Sequence, residues 1–308
     1  MTIRPVNWLK LAFLGVIWGA SFMGVEVALR GVGPLFLVAT RITLGAVFLL
    51  ILAYGRGVGL PPRRGENAGK IWASVLIMAL FTNAIPFFLL SWGQLYVASG
   101  FAGVSMAVVP LFVLPLAHVL VPGEVMTMRR TVGFVIGTIG VGVLIGPQAF
   151  ASTGSDFELL ARLACVAAAS CYAIGSITTR LCPAVDMLSL SAAALSVAAL
   201  IFTPYALWVE GWPETMPTAS LLALLYLGIL PTGIAQLILV QIIRDAGPVF
   251  MSLVNYQVPV WSVILGTLVL GEALPPTLLW ALGLILLGVA LSQLGALRRL
   301  FSERAKRG

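Results

Sequence analysis

Charge is scarce in this chain: only 9% of its 308 residues are Asp, Glu, Lys or Arg, whereas 60% are hydrophobic. A mean hydropathy of +1.06 excludes a soluble globular protein, because so apolar a surface must face lipid rather than water. The basic residues that give the net charge of +7 lie between the apolar runs and do not form a stripe with aromatic residues. Nucleic-acid binding is therefore only a remote alternative. We expect an integral membrane protein that contacts the lipid bilayer and no nucleic acid.

Residues that carry enzyme chemistry are equally few. The chain has one histidine, and its three cysteines, Cys165, Cys171 and Cys182, lack the spacing of a metal site or of a disulfide framework. It contains no glycine-rich phosphate loop ending in Lys-Ser or Lys-Thr and no Gly-x-Ser-x-Gly sequence. We therefore predict no metal, no cofactor and no enzymatic activity, and no ATP-driven pumping by this chain alone.

Apolar runs of about 20 residues, the length that crosses the hydrocarbon core of a bilayer, recur along the whole chain. Short linkers rich in Gly, Pro or charge separate them, so no separate soluble domain is expected. The sequence predicts an all-α integral membrane protein with ten transmembrane helices, at Leu9–Leu29, Pro34–Tyr54, Ile71–Trp92, Gly100–Leu120, Thr131–Pro147, Leu159–Arg180, Ala184–Leu207, Ser220–Ile243, Pro248–Leu270 and Thr277–Leu297.

The second half of the chain repeats features of the first at a nearly constant offset. Val109-Pro110 is echoed by Val258-Pro259, 149 positions later, and Gly123-Glu124 by Gly271-Glu272, 148 positions later. This period predicts two related halves, 1–150 and 151–308, of five helices each. Because five is odd, the second half must enter the membrane from the opposite side. Inverted repeats of this kind are typical of secondary transporters.

The positions of Lys and Arg indicate the orientation in the membrane. If the N-terminus is cytoplasmic, 15 of the 18 basic residues lie on the cytoplasmic side, and only Arg30 and Arg162 lie outside. This asymmetry follows the positive-inside rule and predicts that both termini are cytoplasmic. We expect a multi-pass protein of the inner (plasma) membrane.

Glycines four residues apart, such as Gly15 with Gly19 and Gly133 with Gly137, predict helix faces that pack closely. These faces can join helices within one chain or between two chains. A homodimer is therefore one alternative for the assembly.

Polar and aromatic side chains near the middle of the predicted spans are candidate substrate contacts, because transporter sites lie near the bilayer midplane. For each of them an interhelical hydrogen bond is the alternative explanation. Asn255, Tyr256 and Gln257 are consecutive, so they cannot all face one cavity. The substrate-binding candidates are Trp18, Ser21, Arg41, Asn83, Tyr172, Gln236, Asn255 and Tyr256.

Ionisable residues within the spans are candidates because charge is costly to bury in lipid. Arg41 lies about 10 Å from the outer end of the second span, and Glu26 lies at a similar depth in the first. An ion pair between them would either brace two helices or hold a charged group of the substrate. Glu26 is the only acid well inside a span, which makes it the candidate for proton coupling. His118, at the inner end of the fourth span, is either a proton relay or an interfacial histidine.

Taken together, these features resemble the EamA family of the drug/metabolite transporter superfamily. The resemblance rests on Trp18-Gly19-Ala20-Ser21-Phe22, on Pro34 followed by Arg41, and on Pro110 and Gly123-Glu124 before a glycine-rich fifth span. It covers both halves, so each half would be one EamA-like repeat. It implies ten helices around a central cavity and the export of small metabolites, often amino acids or related amphipathic compounds, or of drugs, by alternating access.

Within this resemblance Arg41 matches the family's second-span arginine, and Glu124 and Glu272 match its loop glutamates, which we expect to end helices at the two surfaces. Two positions depart from the family pattern. Glu26 stands where members often carry a basic or small residue, and Leu190 stands where a second counterpart of Arg41 would lie. We predict a secondary active or facilitative transporter that exports a small molecule; a membrane-embedded lipid-modifying enzyme or a channel is the alternative.

Overall fold

The computed structural model describes residues 5–121, 126–145, 156–246, 251, 254–273 and 276–305. Every regular element in this part of the chain is a helix, and none is a strand. The predicted Gly123-Glu124 loop lies outside the described residues, and so does the side chain of Tyr256.

Apolar helices connected by short loops make up the molecule. Seven helical segments of the described chain are long and apolar enough to cross a membrane: Pro5–Leu29, Pro34–Gly55, Ala68–Gly93, Ser99–Leu120, Glu158–Leu181, Met187–Val209 and Thr218–Leu239. The predicted fifth, ninth and tenth spans overlap the helices Met128–Ile145, Val254–Leu270 and Pro276–Ala305. The architecture is that of an all-helical, multi-pass membrane protein.

We number the α-helices in chain order. They are α1 (Pro5–Leu29), α2 (Pro34–Gly55), α3 (Ala68–Met78), α4 (Ile85–Gly93), α5 (Ser99–Ser105), α6 (Val109–Leu120), α7 (Met128–Ile145), α8 (Glu158–Leu181), α9 (Met187–Val209), α10 (Thr218–Leu227), α11 (Ala235–Ala246), α12 (Val254–Leu270) and α13 (Pro276–Ala305). The end of the bundle at which α1 ends and α2 begins is called the distal end, and the opposite end the proximal end.

Two of the spans are interrupted by π-helical segments. Ala79–Ala84 joins α3 to α4, and Gly228–Ile234 joins α10 to α11. The two segments begin 149 positions apart, which is the offset of the sequence repeat. A π-helical turn changes the register of the backbone hydrogen bonds and often marks a functional site. The irregular backbone therefore lies at matching positions in the two halves.

The two π-helical segments also share a side-chain contact. Asn83 Nδ2 donates a hydrogen bond to the carbonyl of Met78 at 3.1 Å, and Thr232 Oγ1 donates one to the carbonyl of Leu227 at 2.8 Å. Each donor lies five residues after its acceptor, and the two pairs are again 149 positions apart. The polar side chain at this position satisfies the carbonyl that the altered register exposes.

Helices of the first half pack mainly on helices of the second. α1 packs on α12, α2 packs on α9, and α7 packs on α13. Glycine permits the closest of these approaches: a Cβ atom at Gly288 of α13 would collide with the backbone of Gly133 and Gly137 of α7, and one at Gly19 of α1 would collide with the Trp261 side chain of α12. Without a hydrophobic force between helices in lipid, such close van der Waals packing sets which helices associate.

Candidate functional site

The π-helical segment Gly228–Ile234 brings two of the predicted site residues together. The indole Nε1 of Trp18, on α1, donates a hydrogen bond to the carbonyl of Pro231 at 3.1 Å. Nε of Arg41, on α2, donates to Oγ1 of Thr232 at 2.9 Å. Neighbouring residues of one irregular segment thus bind side chains from two helices of the other half.

Arg41 is buried, with 7% of its surface exposed, and one face of its guanidinium lies on an aromatic ring. Its Cζ atom is 3.8 Å from the centroid of the Phe87 ring, the geometry of a cation–π contact. A charged arginine at the centre of a transmembrane helix costs about 2.5–3.5 kcal/mol on insertion scales. The contacts with Thr232 and Phe87 offset part of that cost and hold the side chain in one orientation.

Two tyrosines complete the surroundings of Arg41. Tyr172, on α8, and Tyr226, on α10, are its electrostatic neighbours. The hydroxyl of Tyr226 donates a hydrogen bond to the carbonyl of Ile17 at 3.0 Å, which fixes its position. Tyr172 is half-buried and packs against both large hydrophobic clusters of the molecule, so it lies where the two meet. Arg41, Phe87, Tyr172, Tyr226 and Thr232 are called the Arg41 cluster.

Three other predicted residues form hydrogen bonds elsewhere. Ser21 Oγ donates to the carbonyl of Trp18 in its own helix at 2.7 Å, and Asn83 donates within its own span as described above. Gln236 Nε2 donates to Ser191 Oγ of α9 at 3.0 Å. The bond of Gln236 joins two helices of the second half. It is therefore an interhelical hydrogen bond, the alternative to substrate binding that the sequence also allowed.

The predicted polar run on α12 contributes less to this region. Asn255 is half-buried, and Gln257 lies against Gly15 of α1, where a Cβ atom would collide with it. His118 is exposed at the proximal end of α6. The role of Tyr256 stays a prediction, because its side chain lies outside the description.

The structure does not form the ion pair considered between Glu26 and Arg41. Arg41 bonds to Thr232, and the electrostatic neighbours of Glu26 are Glu272 and Arg30. The reason is the pairing of the helices: α1 packs on α12 and α2 packs on α9, so the two side chains face different neighbours although their helices are consecutive. Glu26 lies at the distal end beside the loop that follows α12.

A glutamate of the second half caps the N-terminus of a helix of the first half at the distal end. Oε1 of Glu272 accepts a hydrogen bond from the backbone N–H of Ser99 at 2.7 Å, and Oε2 accepts one from Gly100 at 3.0 Å. These amides are at the first turn of α5, where the positive end of the helix dipole favours a carboxylate. From the sequence we expect Glu272 to end its own helix. The structure shows that it also caps another helix, α5.

A second distal glutamate makes the same kind of contact. Oε1 and Oε2 of Glu210, which follows α9, accept hydrogen bonds from the backbone N–H groups of Leu35 at 3.0 Å and Phe36 at 2.7 Å, in the first turn of α2. Trp212 packs edge-on against Phe36, with ring centroids 5.4 Å apart. Two helices that begin at the distal end are therefore capped by carboxylates from the opposite half.

Two cavities lie away from the predicted site residues. One, of about 520 Å³, is at the distal end between Val32, Phe36, Glu210 and Glu214. The other, of about 490 Å³, is apolar and lies between α6 and α8 near Pro115. Neither is lined by any of the residues predicted to bind substrate.

The main residues that sequence reasoning missed are Thr232, Phe87, Tyr226 and Glu210. Thr232 had a usable signal, because it lies 149 positions after Asn83, which was recognised as a polar mid-span residue. Phe87 and Tyr226 carried no signal, since aromatic residues are common in apolar spans. Glu210 lies in a loop and shows no repeat partner, because the position 149 residues earlier is Pro61.

Comparison with known proteins gives the same family for both halves. The EamA-like transporter family model matches residues 6–146 and again residues 159–294. The S-adenosylmethionine/S-adenosylhomocysteine transporter of Chlamydia trachomatis is 27% identical over 91% of this chain and 87% of its own. The probable terminal-alkyne amino-acid exporter of Streptantibioticus cattleyicolor is 26% identical over 94% of each chain.

One solved structure supports the fold. It is a crystal structure that is 23% identical and superposes with a TM-score of 0.68, covering 95% of this chain and 99% of its own. At this level of identity the likeness concerns the fold alone. Since the family model accounts for nearly all of both halves, the chain belongs to the EamA-like transporter family.

Proposed function

We propose that this protein exports a small metabolite, such as an amino acid, a related amphipathic compound or a drug, by alternating access. Two relatives support the class of cargo: one is named as a transporter of S-adenosylmethionine and S-adenosylhomocysteine, the other as a probable amino-acid exporter. The names of these relatives support transport rather than enzymatic turnover.

The observation that carries the mechanism is the carboxylate cap that the second half places on a helix of the first half at the distal end. At the distal end α5 packs on α12, and Glu272 caps α5. The proximal half of the same span, α6, packs on α8, another helix of the second half. Alternating access requires a central site that is shut on one side at a time. In our proposal this structure is the distally closed state, and the distal caps break when the site opens to the other side.

The internal repeat supplies the second state. We propose that 1–150 and 151–308 are inverted five-helix repeats of a ten-span bundle, since the π-helical segments and their side-chain bonds recur at an offset of 149. Halves of opposite orientation can exchange conformations, which turns a distally closed state into a proximally closed one. With both termini in the cytoplasm, as the basic residues predict, the distal end faces outward.

Proton coupling is assigned in this proposal to Glu26. The carboxyl group lies beside Glu272 and near Arg30 at the distal end. Two neighbouring carboxylates repel each other when both are ionised. Protonation of one of them would therefore alter the contact that holds α5 against the second half.

Uptake into everted membrane vesicles tests the transport proposal. We expect saturable, ATP-independent uptake of at least one member of a panel of radiolabelled metabolites. Gly103→Val should abolish it, because a Cβ atom at Gly103 of α5 would overlap Ser262 of α12 and prevent distal closure. Gly142→Val is the matched control, since no atom lies within 4 Å of a Cβ there. Uptake that never saturates would favour a channel, and no uptake across the panel would refute the proposal.

A further inference from the structure

Arg41 differs from two other cations of the described helices, which pair with carboxylates. Lys10 pairs with Asp245 at an N–O distance of 3.7 Å, and Arg162 pairs with Glu158, four residues earlier on α8. Arg41 is 93% buried, and among the described residues no carboxylate pairs with it. A buried charge without a counter-charge is strongly unfavourable, so this site is incomplete as the chain alone builds it.

Most of the hydrogen-bonding capacity of Arg41 is unused. The guanidinium has five N–H donors, and only Nε is engaged by a described residue. Its acceptor, Thr232, is itself held by the bond that it donates to the carbonyl of Leu227. The two Nη atoms have no acceptor in the described chain, and they are not completely buried. The side chain is thus held through Nε while its outer edge remains available.

The groups around the outer edge of the guanidinium are aromatic. One of them, Tyr172, carries a hydroxyl that is a second free hydrogen-bond donor. The Phe87 ring lies under the guanidinium at 3.8 Å. The Tyr226 hydroxyl is already used, because it donates to Ile17. The Tyr172 hydroxyl forms no hydrogen bond with a described residue and is not enclosed, although Tyr172 interacts electrostatically with Arg41. Two sets of free donors therefore lie beside an apolar wall.

We propose that the Arg41 cluster is the subsite for the carboxylate of a small organic monoanion, whose apolar body lies against the aromatic side chains. This inference rests on the proposed transport function and names the chemical class of its cargo. The two Nη atoms present the parallel N–H bonds that a planar carboxylate accepts in a bidentate manner. The Tyr172 hydroxyl supplies a third bond.

The charge balance selects a monoanion. One cation neutralises one negative charge, whereas a phosphate dianion would leave a net charge in the membrane interior. The second half contains no duplicate of the site, because Leu190 stands 149 positions after Arg41. A ligand with one charged end is therefore bound in one orientation, with that end towards the first half.

Thermal stabilisation of the purified protein by phenylacetate, phenylacetamide and phenyl phosphate tests this subsite. The probes share one body and differ in charge. We expect phenylacetate to raise the Tm with a saturating dose response. Loss of one charge-assisted hydrogen bond should make the neutral amide bind roughly 10- to 150-fold more weakly. Phenyl phosphate should also bind less tightly than phenylacetate.

Variants distinguish a binding residue from a structural one. Arg41→Leu gives position 41 a leucine, the residue that the second half carries at the equivalent position, Leu190. The variant should no longer show a rise in Tm with phenylacetate. It should keep or raise the Tm without ligand, because an unpaired buried charge is lost. Tyr172→Phe should weaken phenylacetate binding roughly tenfold. Arg56→Gln removes an exposed cation just after α2, and it is the control that should leave the binding unchanged.

Several results would overturn the subsite. They are equal binding of phenylacetate and its amide, no stabilisation of the parent protein by phenylacetate, benzoate or butyrate, or a lower ligand-free Tm in Arg41→Leu. Transport is measured separately in proteoliposomes. Transport of another metabolite without carboxylate binding would refute the subsite and leave the transport proposal standing. Binding that depends on Arg41, with no uptake of any metabolite of the panel, would refute the transport proposal and leave the subsite standing.

Discussion

Replacing Glu272 by glutamine should open the distal end. The carboxylate accepts bonds from the N–H groups of Ser99 and Gly100 at 2.7 and 3.0 Å, at the start of α5. Glutamine keeps one acceptor oxygen, but its amide nitrogen cannot accept the other bond. The variant therefore loses one charge-assisted hydrogen bond, about 1.5–3 kcal/mol, and the interaction of a full charge with the helix dipole, about 0.3–2 kcal/mol.

Together these losses amount to about 2–5 kcal/mol. Because the contact joins the two halves, we expect it to stabilise only the distally closed state. The equilibrium between open and closed molecules should then move towards the open state by roughly 30- to 4,000-fold. A shift of this size is large enough to convert a rare open state into a well-populated one.

The distance between spin labels at the distal end measures this shift. Leu95, after α4, and Val269, near the end of α12, are exposed and suit labelling in a variant whose native cysteines are replaced by serine. We expect a new population at longer distance in Glu272→Gln. Glu214→Gln removes the same charge from an exposed distal residue and should leave the distribution unchanged. An unaltered distribution in Glu272→Gln, or equal changes in both variants, would refute the reasoning.

Three further predictions concern packing, thiol reactivity and coupling. Gly288→Ala should lower the Tm at a cost of about 1–3 kcal/mol, because its Cβ would strike the backbone of α7, whereas Gly283→Ala, with open space around it, should not. Burial raises the pKa of the Cys182 thiol, and a hydrogen bond with Ser74 partly opposes this shift. Its maleimide labelling should therefore be slower at pH 8 than that of an unfolded control, and the labelling rate should rise at higher pH. Glu26→Gln should abolish the pH dependence of transport in proteoliposomes; an unchanged pH profile would reject that role.

How far the site was predictable differs between residues. The depth of Arg41 in its span was readable, because hydropathy and length set where a span begins. Its partner was not, since the bond to Thr232 joins positions 191 residues apart. Consecutive spans suggested Glu26 as the partner, but consecutive helices here pack mainly on other helices.

The π-helical segments show a similar division. Their residues read as continuous apolar helix, because hydropathy does not distinguish a π turn from an α turn. The repeat nevertheless placed Asn83 and Thr232 at matching positions, and both donate to the carbonyl five residues earlier. A sequence comparison of the two halves at an offset of 149 would have paired them.

The sequence by itself determined that this is an all-helical membrane protein, where its apolar helices lie and which residues of those helices are polar. These properties depend on the transfer of each segment from water to lipid, which is a sum over neighbouring residues. Only the tertiary structure decided that Arg41 meets Thr232 and Phe87, and that Glu272 caps α5. Lipid is as apolar as the helices themselves, so the pairing of helices follows from close shape complementarity and cross-chain hydrogen bonds, which appear only once the spans are assembled.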